Sequence, residues 1–149
     1  MAKGRVTHTM DAKGRITLPS EFRLLLKPTP QDRDPVLTVI LDTDALEFYP
    51  HETWVRIEQS LKAKSRFNPQ IRDATRMLVG NASDCPIDAQ GRILVPPPLR
   101  EYAGLQREVA IAATGDTLEI WDKERFDLRL KTTQARGQEI AALLGDLGL

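Results

Sequence analysis

Cysteine, aromatic residues and long apolar runs are all scarce in this sequence. The chain of 149 residues has one cysteine, Cys85, so no disulfide can form within it, and a reducing cytoplasm suits it. We expect Cys85 to be a small buried apolar residue rather than a reactive thiol. Aromatic residues make up 5% of the chain, which predicts a mainly aliphatic core. No apolar run approaches the roughly 18 residues of a membrane span, and the N-terminus lacks the apolar stretch of a signal peptide, so we expect no membrane partner.

The chain also lacks net charge. Its 21 Lys and Arg residues balance 21 Asp and Glu residues, and this argues against a uniformly basic nucleic-acid-binding domain. The charge is unevenly distributed, however, because residues 1–27 carry +4 and residues 30–48 carry −4. A local basic surface on a neutral protein can still bind phosphates, especially where an oligomer repeats that surface.

Sequence motifs of catalysis are missing as well. The two histidines, His8 and His51, are far apart and outside any metal-ligand spacing, and the common nucleotide-binding, nucleophile-elbow and zinc-protease motifs do not occur. Asp11 and Asp88 could form a carboxylate pair for acid–base catalysis. Each is followed by Gly at the third position and Arg at the fourth, which favours a turn-capping role. We therefore expect no enzyme, no cofactor, no metal and no small-molecule substrate.

The sequence does contain an internal repeat. Residues 11–19 read DAKGRITLP and residues 88–96 read DAQGRILVP, so six of nine positions are identical. A second match follows downstream, where residues 44–49 (DALEFY) parallel residues 116–121 (DTLEIW). Repeats of this kind are typical of a duplicated structural unit.

Each copy predicts the same series of elements. An extended segment leads to a turn in which Gly14 or Gly91 supplies a positive φ, and a short strand, a short helix, a β-hairpin and a closing helix follow. After the first copy, the Asn68–Pro69 pair is typical of a helix start and Gly80 of a helix end, while Asp122 can cap a last helix that runs to about residue 144. We expect an α+β fold in which the hairpins of both copies interleave into one small pseudo-twofold barrel with peripheral helices.

The repeat also suggests boundaries. Residues 1–63 hold the first copy with its closing helix, residues 64–82 a connecting helix, and residues 83–149 the second copy with the C-terminal helix.

Several cations are candidates for binding phosphates or bases. Arg15 and Arg92 each follow a turn glycine, and the residue pattern supports two interpretations equally: a salt bridge that braces the turn, or an outward guanidinium that contacts phosphate or a guanine edge. Arg23 and Arg100, on the short helices, are better explained as structural. The nearby cations are interpreted either as ordinary surface charge or as phosphate contacts clustered beside Arg15; they are Lys3, Arg5 and Lys13.

The doubled D-x-x-G-R-x-x-x-P motif, residues 67–80 (FNPQIRDATRMLVG) and residues 88–102 together resemble the MraZ family of bacterial regulators, over about residues 3–130. The resemblance implies two AbrB/SpoVT-like half-units that form a swapped-hairpin barrel, ring-shaped homo-oligomers, and binding to short direct repeats upstream of the protein's own operon in the division and cell-wall gene cluster. The family's D-x-x-x-R signature corresponds to Asp11 with Arg15 and to Asp88 with Arg92. Two departures are Ala2, where the family usually has an aromatic residue, and Gln90, which replaces the lysine seen at Lys13.

The leading hypothesis is therefore a cytoplasmic, nucleoid-associated repressor that binds double-stranded promoter DNA. The alternatives are an antitoxin-like interaction protein, a purely structural ring, and an enzyme of unknown chemistry. An antitoxin would need a disordered partner-binding tail, whereas the C-terminal segment is predicted to be helical.

Overall fold

A computed structural model describes residues 2–149, which form eight strands and six helices. In chain order these are β1 (Ala2–Thr9), β2 (Arg15–Thr17), α1 (Ser20–Leu26), β3 (Val36–Val39), β4 (Leu46–Tyr49), α2 (His51–Ser65), α3 (Pro69–Leu78), β5 (Ser83–Asp84), β6 (Arg92–Leu94), α4 (Pro97–Ala103), β7 (Glu108–Gly115), β8 (Leu118–Asp122), α5 (Lys123–Ala135) and α6 (Gly137–Asp146). The mixed α+β class is confirmed, and the series of short strand, short helix, hairpin and helix occurs in both copies.

The strands of the two copies pair with each other. Six antiparallel strands form one sheet in the order β1-β7-β8-β4-β3-β5, and β2 and β6 form a separate two-stranded ribbon. β1 pairs with β7, β4 with β8, β2 with β6 and β3 with β5, so four of the six strand pairs join the first copy to the second. The interleaving expected from the repeat is present, but the strands described here do not close into a barrel, because β1 and β5 are the two edges of the sheet.

The main core lies between the large sheet and the ribbon. Ile16 and Ile93 of the ribbon are 0% and 1% exposed, and they pack in one cluster with sheet residues such as Phe48 and Ile111. A smaller cluster lies on the opposite face of the sheet, where Trp121 packs with Phe126 of α5 and two alanines. The main cluster is largely aliphatic, as the composition predicts.

Two of the predicted helix starts are confirmed. The Oδ1 of Asn68 accepts hydrogen bonds from the backbone N–H of Gln70 at 3.0 Å and of Ile71 at 3.3 Å, with Pro69 in the first turn of α3. Asp122 caps α5 by accepting a hydrogen bond from the N–H of Arg125 at 3.2 Å. Both caps satisfy N–H groups that a helix start leaves without an internal partner.

One predicted helix end is confirmed and another is wrong. α3 ends at Leu78 with Val79 as its C-cap, so Gly80 follows the cap as predicted, although its φ is not positive. The C-terminal segment is not one helix to residue 144, because it breaks at Arg136 into α5 and α6. The apolar stripe through Phe126 and Leu130 continues into polar positions, and Gly137 follows, so little packing or propensity favours an unbroken helix there.

Cys85 is buried, as predicted. It is 2% exposed, its Sγ lies 3.5 Å from the carbonyl oxygen of Leu94, and burial raises the pKa of its thiol to about 12. Across residues 2–149, no helix is both long and apolar enough to cross a membrane.

Candidate nucleic-acid interface

The β2–β6 ribbon presents one buried face and one outward face. Its register pairs Arg15 with Leu94, Ile16 with Ile93, and Thr17 with Arg92. Because side chains alternate along a strand, the two isoleucines enter the core and the other four side chains point away from it. The arginine side chains are about one-third exposed, at 35% for Arg15 and 33% for Arg92.

The turn before β2 is organised by Asp11. Its Oδ1 accepts hydrogen bonds from the backbone N–H groups of Lys13 and Arg15, both at 2.9 Å, and its Oδ2 accepts one from the Nε of Arg15 at 2.6 Å. The Gly14 N–H closes the turn on the Asp11 carbonyl at 3.0 Å, with Gly14 at φ +90°. The backbone N–H of Arg15 and then its guanidinium lower the pKa of Asp11 to about 2, so this carboxylate is charged at neutral pH.

The turn before β6 repeats this arrangement. Asp88 accepts from the N–H of Gln90 at 2.9 Å, from the N–H of Arg92 at 2.8 Å and from the Arg92 Nε at 3.0 Å. Gly91 has φ +78°, and the hydrogen bond from the Arg92 N–H is the main cause that lowers the pKa of Asp88. The turn-capping interpretation of both aspartates therefore describes what these side chains do in the structure.

The two interpretations of Arg15 and Arg92 are compatible with each other. In each pair the carboxylate receives the Nε hydrogen bond, and among residues 2–149 no hydrogen bond from the two Nη groups is formed. The aspartate thus fixes the direction of the guanidinium and leaves its outer edge free. That edge is the part of arginine that bonds to the O6 and N7 atoms of guanine.

Arg23 and Arg100 connect the two copies. A Cβ added at Gly14 would lie 2.7 Å from the Arg100 Nε, and one added at Gly91 would collide with the Arg23 guanidinium, so each arginine covers the turn glycine of the other copy. The Arg100 Nε also donates to the Val95 carbonyl at 2.9 Å. Sequence reasoning assigned both arginines a structural role but gave no sign of this exchange between copies.

The cations of β1 are not brought to the ribbon. Arg5 lies over the Phe126 ring of α5, with 5.7 Å from its Cζ to the ring centroid, on the sheet face opposite the main core. Lys3, two residues earlier on the same strand, is exposed and lies on that same side by alternation. The expected cluster of Lys3 and Arg5 beside Arg15 is therefore wrong, and only Lys13, exposed in the turn, accompanies it.

Two outward side chains of the ribbon were missed. Thr17 and Leu94 stand on the same face as the arginines, and Leu94 is 53% exposed. The alternation of side chains along a strand could have predicted them, since it places every second residue after Arg15 and Arg92 on the same outward face.

Other polar groups of the sheet satisfy one another. Glu47, whose pKa is raised chiefly by burial, accepts a hydrogen bond from the Tyr49 hydroxyl at 2.9 Å, and Glu119 accepts one from the Trp121 indole N–H at 2.9 Å. Within residues 2–149, no group of three or more His, Cys, Asp or Glu side chains is placed to hold a metal ion.

Comparison with known proteins returns one family and many relatives. A family profile described as "MraZ protein, putative antitoxin-like" matches residues 1–77 and again residues 78–142. The chain is 42% identical over 127 residues to a protein named transcriptional regulator MraZ from Thioalkalivibrio sulfidiphilus, covering 85% of this chain and 83% of that protein. Relatives of the same name occur in Nitrosomonas eutropha (38% identity, 91% of this chain, 90% of that protein) and Solidesulfovibrio magneticus (40%, 91% and 88%).

Proposed function

The chain belongs to the MraZ family, and we propose on that basis that it is a transcriptional regulator that binds double-stranded DNA through the outward face of the β2–β6 ribbon. The names of its relatives describe regulation of transcription and no catalytic activity. The observation that carries the proposal is the pair of outward arginines, each oriented by an aspartate and each with a free Nη edge.

A two-stranded ribbon has the right dimensions for this role. The major groove of B-DNA, about 12 Å wide, admits a two-stranded β-ribbon, and side chains on its outward face then reach the base edges. Arg15 and Arg92 stand diagonally across the ribbon, about 7–8 Å apart by the usual geometry of such pairs. They are therefore spaced to contact base pairs about two steps apart along the groove, with the exposed Lys13 at a phosphate.

The proposed assembly repeats the ribbon so that several copies of it can bind DNA together. We propose a ring-like homo-oligomer whose ribbons meet successive short direct repeats in the promoter of the protein's own operon, within the division and cell-wall gene cluster, where it represses transcription. In this proposal the protein acts in the cytoplasm on the nucleoid. The strand pairs between copies are the single-chain equivalent of hairpins exchanged between two AbrB/SpoVT-like half-units, residues 1–63 and 83–149, joined through residues 64–82.

The test compares Arg15→Ala with a matched control, Arg5→Ala, which removes the same charge from the opposite face of the sheet. The assay is a titration of DNA from upstream of the gene against a scrambled duplex at the same salt concentration, since phosphate contacts make affinity salt-dependent. Loss of a base contact costs about 1–3 kcal/mol per site, or about 5- to 150-fold, so Arg15→Ala should lose specific binding and Arg5→Ala should keep it. Arg92→Ala should lose less, because Gln90 makes its surroundings less basic.

Equal losses from Arg15→Ala and Arg5→Ala, with both variants folded, would contradict the assignment of the ribbon. The same titration on one repeat, two repeats, and two repeats separated by half a helical turn, about five extra base pairs, tests the ring. A ring predicts avidity of about 10²–10⁴ for two repeats in phase and loss of that gain out of phase.

The family description also names an antitoxin-like role, which makes neutralisation of a protein partner the second candidate. Such a role would use an extended tail, whereas residues 123–146 are helical in α5 and α6 apart from the break at Arg136. A protein that binds a partner but shows no salt-dependent preference for the upstream DNA would favour this second function.

A further inference from the structure

We propose that Leu94 contacts the 5-methyl group of a thymine and, with Arg15, makes the ribbon read its DNA site in one orientation. The inference rests on the proposed function, because it assigns a further role on the same DNA-binding face. Leu94 stands directly opposite Arg15 in the ribbon and is 53% exposed. Directly opposed residues have Cβ atoms about 4.5–5.5 Å apart, so the leucine and the arginine present one joint surface.

The backbone holds this leucine outward. Its neighbours Ile93 and Val95 are 1% and 0% exposed in the core, and strand alternation then leaves Leu94 no inward position. Its carbonyl oxygen is also the acceptor facing the buried Cys85 thiol, which fixes the strand from behind. An apolar side chain fixed in this way beside a guanidinium gains by contact with an apolar group, and the thymine methyl is the apolar group that the major groove displays.

Within the repeated nine-residue motif, two of the three differences between the copies fall on the outward surface. The repeated nine-residue motif differs at three positions, of which Leu18 and Val95 form a buried pair. The other two pairs, Lys13 with Gln90 and Thr17 with Leu94, are exposed. Within this motif the turn aspartates, glycines and arginines therefore follow the pseudo-twofold relation, while two of its outward positions do not.

This asymmetry suits direct repeats. One end of the ribbon carries Lys13, Arg15 and Leu94, and the other carries Gln90, Arg92 and Thr17. A symmetric face would bind one duplex site equally well in either orientation, whereas an asymmetric face selects one orientation. Guanine beside thymine at the first end is the combination that an arginine and an apolar side chain would read.

The experiment replaces thymines by uracil, which lacks only the 5-methyl group. A duplex carrying one repeat from upstream of the gene is prepared with each thymine replaced in turn, and wild-type protein, Leu94→Ala and Leu24→Ala are titrated against the set. Leu24 is the matched control, because it is 61% exposed on α1, outside the ribbon. At one thymine we expect the wild type and Leu24→Ala to lose about fourfold in affinity, the value of one buried methyl group, and Leu94→Ala to lose nothing further.

The outcomes separate this inference from the proposed function. If the wild type binds the repeat specifically but loses no more affinity than Leu94→Ala at any uracil substitution, the thymine contact is refuted and DNA binding stands. If the wild type binds the repeat no better than a scrambled duplex, the proposed function itself fails. Thermal unfolding of Leu94→Ala checks the fold, and truncation of an exposed leucine should leave the melting temperature close to that of the wild type.

Discussion

Substitution of Gly14 by alanine tests the contact that joins the two copies. Gly14 combines a φ of +90° with close approach of the Arg100 side chain, since an added Cβ would lie 2.7 Å from both the Nε and Cζ atoms of Arg100. The substitution therefore adds two separate costs to the folded state. One is backbone strain, which any residue with a Cβ would bear there, and the other is a collision with a side chain from the second copy.

The size of each cost follows from the structure. Left-handed backbone costs about 1–2 kcal/mol for a residue with a Cβ. At this distance Arg100 cannot stay in place, so its side chain must shift. If the shift breaks the 2.9 Å hydrogen bond to the Val95 carbonyl, the cost is about 1.5–3 kcal/mol for a charged donor. We therefore expect Gly14→Ala to lower the free energy of unfolding by about 2–5 kcal/mol.

The assay is urea unfolding at a fixed protein concentration, followed by the fluorescence of Trp54 and Trp121, with Arg100→Ala as the second arm of a double-mutant cycle. In the Arg100→Ala background the collision is gone, so Gly14→Ala should cost only the strain, about 1–2 kcal/mol. Equal costs of Gly14→Ala in both backgrounds would refute the contact between copies. No cost in either background would refute the left-handed turn.

Two further predictions concern single side chains. Asp11→Asn should be less stable than the wild type at neutral pH. The folded state lowers the pKa of Asp11 from 3.8 to about 2, so the stabilisation by the charged carboxylate is complete above about pH 4 and is lost as the pH falls towards 2. The difference in unfolding free energy between the two proteins should therefore close over that window, and a constant difference would contradict the ion pair. Cys85, buried with a thiol pKa of about 12, should resist alkylation by iodoacetamide at pH 8 in the native protein and react rapidly in urea, and fast native labelling would show that the thiol is accessible.

Local features of the fold could be predicted from the sequence because the interactions that fix them are local. Asp11 and Asp88 accept hydrogen bonds from residues two and four positions away, and Asn68 caps a helix whose first N–H groups are two and three residues on. Gly14 and Gly91 adopt a positive φ for the same local reason. Each of these features is set within five residues, so a residue pattern contains the necessary information.

Features that depend on pairing across the chain were harder to predict. The repeat indicated that the copies interleave, but no local pattern shows that β1 pairs with β7 or that the strands leave β1 and β5 as open edges. The position of Arg5 illustrates the consequence, because closeness to Arg15 in sequence suggested a cluster that strand alternation and sheet pairing separate. The packing of Arg100 on Gly14 depends on residues 86 positions apart, and nothing in either segment alone predicts it.

The fusion of two copies in one chain is what permits the two ends of the ribbon to differ. Two identical half-units that exchanged strands would place the same residue at each pair of related positions, and their outward face would be symmetric. In this chain the related positions hold Lys13 and Gln90, and Thr17 and Leu94, while the turn aspartates, glycines and arginines are the same in both copies. The shared residues are those that hold the ribbon together, since Asp11 and Asp88 orient the arginines and Arg23 and Arg100 cover the opposite turns. Within the ribbon and its turns, the shared residues therefore form a framework that requires both copies to fold, and in the proposed DNA complex the differing outward residues would distinguish one direction along DNA from the other.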